Sequence, residues 1–122
     1  MDIRTIENLG QIIAVIDSSD KLIVDAQSAL DLMATVRYEK DCSSVAIKKE
    51  AIAEDFFVLS TGLAGEILQK FVNYRMKLAI IGDFGGYTSK PLKDFMYESN
   101  KGCHIFFVSS EEEAVSVLSA VR

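Results

Sequence analysis

Ser60-Thr61-Gly62 is where chemistry is easiest to place on this chain. These two hydroxyls precede a segment in which Leu63, Ile67 and Phe71 recur at four-residue spacing, so they stand at the first turn of an amphipathic helix. The first turn of such a helix leaves backbone N–H groups free for side-chain oxygens. The plain role for both hydroxyls is to cap the helix, worth about 1 kcal/mol. A second stretch, Gly82-Asp83-Phe84-Gly85-Gly86-Tyr87-Thr88-Ser89, joins an apolar run to another helix. Loops at the carboxyl ends of parallel strands are where α/β folds bind ligands, and glycines let a ligand approach the backbone. The spacing matches neither GxGxxG nor the P-loop pattern, so the same residues also read as a permissive turn. Phe84 and Tyr87 form a contact patch if they face water, or fold back onto the helix ends.

Catalytic constellations are harder to find. His104 is the single histidine and lies in the run Cys-His-Ile-Phe-Phe-Val beside Cys103. Strand alternation points neighbouring side chains to opposite faces, so these two do not make a nucleophile and base. Cys42 has no sequence neighbour that would activate it, and no spacing suits a metal. Glu111-Glu112-Glu113 opens a helix, where negative charge is favourable. Glu50, Glu54 and Asp55 flank Phe56-Phe57 and could rim a cleft, and Lys48-Lys49 is a small basic spot. The expectation is a chain that is not an enzyme and carries no cofactor or metal.

The elements that must position these residues follow from local patterns. Ile3 and Thr5 alternate with charged neighbours, Asn8-Leu9-Gly10 marks a turn, and Gln11 to Ile16 is a buried strand, which together predict an opening hairpin. Asp25 caps a helix to about Glu39 with Ala26, Ala29, Leu30, Met33 and Val36 inward. Ser44 to Lys48 is the next strand, and Ala51 to Val58 fits either a helical entry or an extended anchor. Leu78 to Ile81 is an apolar run of the kind buried on both faces. Ser89 caps a helix through about Asn100 with Pro91 in its first turn, and Cys103 to Val108 is a strand. Ser110 and Glu113 predict a capping box for a last helix with Ala114, Val117, Leu118 and Val121 inward. The order ββαβαβαβα argues a single α/β domain over residues 1–122, with a mixed, mostly parallel sheet and helices packed on it.

At 122 residues, with 49% hydrophobic and 25% charged residues, the chain is globular and long enough for a core without staples. Its net charge of −5 disfavours nonspecific binding to nucleic acid or anionic membrane. The apolar runs are too short to cross a bilayer, and Met1 is followed at once by charge rather than a signal peptide. Two cysteines without a CxxC pair read as buried free thiols in a reducing cytoplasm.

From Leu59 onward the cadence is Ser-Thr-Gly-Leu opening a helix, a strand closed by a glycine, a helix, a Phe-bearing strand and a Glu-rich capped helix. It resembles the second half of STAS domains and SpoIIAA-like proteins, the anti-sigma factor antagonists. The whole chain, with Ala-Leu-Asp-Leu-Met and Asp-Phe-Phe, looks closer still to the bacterial family known as domain of unknown function 4180. The STAS resemblance implies a phosphorylated serine at the helix-opening turn and a protein partner on the surface around it. Ser60 or Thr61 would occupy that turn, and Leu59 stands where that family usually has Asp. The expectation is a regulatory or protein-interaction module, its contact surface formed by Ser60, Thr61 and Gly62 with Phe84, Gly85, Gly86, Tyr87 and Thr88 at one end of the sheet. Its partner is an unidentified protein, and a homodimer is left open. The alternative is a carrier or sensor for a small apolar or nucleotide ligand, with its pocket at Phe56 and Phe57.

Overall fold

The computed structural model describes residues 1–120. Five strands form one sheet in the order β1 (Asp2–Asn8), β2 (Gln11–Asp17), β3 (Ser44–Lys48), β4 (Lys77–Ile81), β5 (Ile105–Val108). The sheet is mixed: β1 runs antiparallel to β2, and the other pairings are parallel. The hairpin turns on Leu9 and Gly10, both left-handed at φ 53° and 78°. Positive φ at both central residues is the primed turn that suits the right-handed twist of its strands.

Helices α1 (Ala26–Lys40), α2 (Leu63–Asn73) and α3 (Lys90–Lys101) connect successive parallel strands, and α4 (Glu111–Ala120) closes the described chain. Every crossover steps the same way across the sheet, so a uniform handedness puts α1, α2 and α3 on one face. The core agrees. Ala14, Ile16, Val45, Ile47, Leu78, Ile80 and Phe107 pack with Val36, Ile67, Phe71 and Leu92 from those helices. On the other face Ile13, Val15, Ala46, Ala79 and Phe106 pack with Ala114 and Leu118 of α4. Both faces of the inner strands are therefore dry, which is why β2 to β5 read as nearly continuous apolar runs.

The caps follow the sequence. The Asp25 carboxylate accepts from Ser28 N at 2.8 Å, and Ser28 Oγ accepts from Asp25 N at 3.0 Å, a reciprocal box. Ser89 Oγ accepts from Leu92 N, and Ser110 Oγ accepts from Glu113 N at 3.1 Å, half of the predicted box; the Glu113 carboxylate accepts from Ser109 Oγ at 3.2 Å instead. The buried stripe of α1 is Ala29, Leu32, Met33 and Val36; Leu32 joins it, while Ala26 and Leu30 are only half-buried. The stripe of α2 is as expected, with Ala64, Ile67 and Phe71 buried, although Val72 is exposed. Val121 lies outside the described residues.

Two expectations need correcting. β5 begins at Ile105, because α3 runs on to Lys101 and Gly102 turns the chain, so Cys103 and His104 precede the strand. Strand alternation does not govern them. Cys103 is exposed, whereas Cys42 is buried as expected.

Candidate functional site

The connection from β3 to α2 resolves the ambiguity of residues 51–58. It is a series of short 3₁₀ turns at Lys49–Ala51, Glu54–Phe57 and Leu59–Thr61. Backbone bonds from Leu22 N to Ala51 O (2.7 Å) and from Ala53 N to Ile23 O (2.8 Å) pin it to the segment before α1. Phe56 and Phe57 are thereby driven inward, 0% and 3% exposed.

Gly62, left-handed at φ 79°, is the N-cap of α2 and has no side chain to cap with; of the two hydroxyls before it, only that of Thr61 accepts from a first-turn N–H, that of Leu63. A residue with a Cβ is strained in that conformation, which is why glycine stands there. The expectation that Ser60 caps α2 is therefore wrong, and the two hydroxyls differ in role. Thr61 Oγ1 has the carbonyls of Asp55 and Val58 as acceptors, each at 2.8 Å, and itself accepts from Leu63 N at 3.2 Å. It staples the turn by its hydroxyl, although the residue is exposed. Ser60 is exposed, and among the described residues nothing bonds its hydroxyl.

The glycine-rich loop leaves β4 at the same rim. Gly82 N continues the ladder to Val108 O at 2.9 Å, and Gly85 N donates to Asp83 Oδ1 at 2.9 Å, shaping the turn. Phe84 and Tyr87 are half-buried, not an open patch. Tyr87 stacks on Phe57 with centroids 5.2 Å apart, and Phe84 lies 6.1 Å from Phe57 and edge-on to Phe107 at 5.4 Å. The rings fold onto Phe57 and Phe107 rather than onto helix ends. Gly85, Gly86 and Thr88 stay exposed.

Lys49 and Glu54 bracket Tyr87. Lys49 Nζ sits 5.1 Å over the ring, and the phenol reaches Glu54 Oε2 at 3.3 Å. Burial pushes the Tyr87 phenol up from its ordinary pKa, and the Glu54 charge adds to the effect. The Lys49 stem passes so close to Gly82 that a Cβ there would meet Lys49 Cδ at 2.6 Å. Lys49, read from the sequence as part of a small basic spot, is thus also a packing element. The Ser60-Thr61-Gly62 turn and the loop 84–88 are joined through Asp55, Glu54 and Phe57, on one rim.

Elsewhere, Cys103 and His104 line one apolar groove of about 280 Å³ between α2 and α3, with Leu68, Val72 and Phe95. His104 Nδ1 lies 3.5 Å from Met76 O. Among the described residues no group of acidic, His and Cys side chains could hold a metal ion, and no helix is long and apolar enough to cross a membrane.

The fold and rim define an α/β domain that presents a hydroxyl turn and an aromatic-backed glycine loop side by side at the carboxyl ends of its parallel strands. The chain belongs to the family described as Domain of unknown function (DUF4180), which matches residues 8–118. No curated protein and no solved structure matches it.

Proposed function

We propose that the chain is a non-catalytic regulatory module of STAS/SpoIIAA-like fold that binds a protein partner through this rim, with Ser60 as its switch. The observation that carries the reading is the exposed, unengaged Ser60 hydroxyl beside the left-handed N-cap of α2, on the same rim as the loop 84–88. Phosphate there meets the first-turn N–H groups and the positive end of the helix. Thr61 is a poor acceptor, because modifying it breaks the turn it staples. Leu59, where an acidic residue is usual in the resembled proteins, packs against the core instead.

The order of elements supports the same reading: an opening hairpin, then three helices in succession on one face. A ligand carrier with its pocket at Phe56-Phe57 has to open a buried pair, with Phe84 and Tyr87 packed on Phe57. The reading is tested by mapping phosphate on the protein purified from cells by mass spectrometry. Partner capture then follows with wild type, Ser60→Ala and Ser60→Asp. Phosphate at Ser60, and a partner lost in one variant and kept in the other, is the expected result. Phosphate found only elsewhere removes the switch, and a partner list indifferent to both variants moves the contact surface off this rim.

A further inference from the structure

The two edges of the sheet are treated differently. On β5 the Asn100 amide donates to Phe107 O at 3.2 Å and accepts from Phe107 N at 2.7 Å, standing where a neighbouring strand would. That edge is closed at its centre. On β1 the described residues contain no counterpart: it pairs only with β2, without a bulge from Asp2↔Asp17 to Asn8↔Gln11, and Thr5 and Glu7 are exposed. Natural edges carry proline, a bulge, a cover or charged side chains against unwanted pairing; β1 has no proline, bulge or cover, and its charges, Asp2, Arg4 and Glu7, limit which registers can pair.

The hairpin fixes which groups are free. Asn8 and Gln11 flank a two-residue turn and form a hydrogen-bonded pair, so alternate residues of β1 bond inward to β2. Ile3, Thr5 and Glu7 therefore direct their N–H and C=O outward. We propose that β1 pairs with β1 of a second copy of this chain, antiparallel, with Thr5 on the two-fold axis.

Charge selects that register. With Thr5 facing Thr5 of the second copy, Ile3 faces Glu7 and Arg4 faces Ile6, so no like charges are opposed and every outward group is used. Centring on Arg4 or on Glu7 sets identical charges opposite one another, which is destabilising. Centring on Ile6 runs Ile3 into the turn residue Leu9 and loses pairing. The Thr5 register also brings Met1 of one copy to Leu9 of the other, two side chains that are 58% and 67% exposed in the single chain. Met1 also lines a groove of about 270 Å³ with Leu22 and Leu32.

Sedimentation of the full chain across the micromolar range should show a monomer–dimer equilibrium. Thr5→Pro removes only an outward N–H, which an edge strand tolerates, and should weaken dimerisation about tenfold or more. A second test does not depend on that variant folding. In a Cys103→Ser background, Thr5→Cys should cross-link under mild oxidation, since directly opposed residues lie about 5.5 Å apart at Cα. Glu7→Cys in the same background should not. A wild-type chain that stays monomeric overturns the proposal, as does a dimer indifferent to Thr5→Pro or one that cross-links through residue 7 in preference to residue 5.

Discussion

Tyr87 lies stacked on Phe57, ring centroids 5.2 Å apart and planes 22° from parallel, and this contact holds the glycine-rich loop against the β3–α2 connection. The loop is thereby part of the core's upper layer rather than a free strap. Tyr87→Ala should lose about 2 kcal/mol in denaturant unfolding, while Tyr87→Phe, which keeps the stack, should lose well under half of that. Equal losses would place the stabilisation in the phenol's contact with Glu54 instead of in the ring.

The same phenol gives a pH signature. Its folded-state pKa is raised, mainly by burial, so its contribution is fully present below the unfolded value, about 10, and is lost as pH rises through the folded value. Wild type should therefore lose stability in alkali faster than Tyr87→Phe. Parallel curves for the two proteins would rule out a perturbed phenol.

Gly82 is a steric requirement. A Cβ at this position lies 2.6, 2.8 and 3.2 Å from Lys49 Cδ, Cγ and Cβ, so Gly82→Ala should cost about 1–3 kcal/mol and push Lys49 off the Tyr87 ring. Lys49→Ala should relieve most of that cost in the double variant, a non-additivity that a thermodynamic cycle reads directly. At Gly86 a Cβ meets nothing within 4 Å, so Gly86→Ala serves as the neutral control.

Asp25 caps α1 through Ser28, and the Ser28 backbone N–H is the main cause that holds its carboxyl below the usual range. A depressed pKa contributes stability above the unfolded value, near 4, that is lost as pH falls through the folded one. Thermal unfolding of Asp25→Ala should fall below wild type at neutral pH, with the gap narrowing in acid. A constant gap would mean the carboxylate is not what caps the helix.

The two thiols should separate cleanly. Cys103 is exposed and should react at once with a disulfide reagent, whereas burial raises the Cys42 pKa and keeps the less reactive thiol form. Cys42 should titrate only as the chain unfolds. Immediate reaction of both thiols would contradict the packing of Cys42 against β2 and β3.

Periodicity and capping are local properties, and they determined most of the framework. The hairpin, Ser44–Lys48, the stripe of α2 and the caps Asp25, Ser89 and Ser110 could all be read from residues within one or two turns of each other. Apolar runs in β3 to β5 announced strands covered on both faces. Contacts between segments distant in sequence were decided by the tertiary structure alone. Glu54 and Tyr87 are 33 residues apart, and only the crossovers that set β3 beside β4 bring them together. The split of roles between Ser60 and Thr61 depends on the carbonyls of Asp55 and Val58 lying under the turn, which no spacing rule encodes. Cys103 and His104 share a groove because β5 begins only at Ile105 and leaves them in the connection after α3, and Asn100 closes one sheet edge because α3 ends beside Phe107. Local sequence sets which face of each element must be buried; what covers that face, and which polar groups are left free at its margins, is settled only when the layers meet.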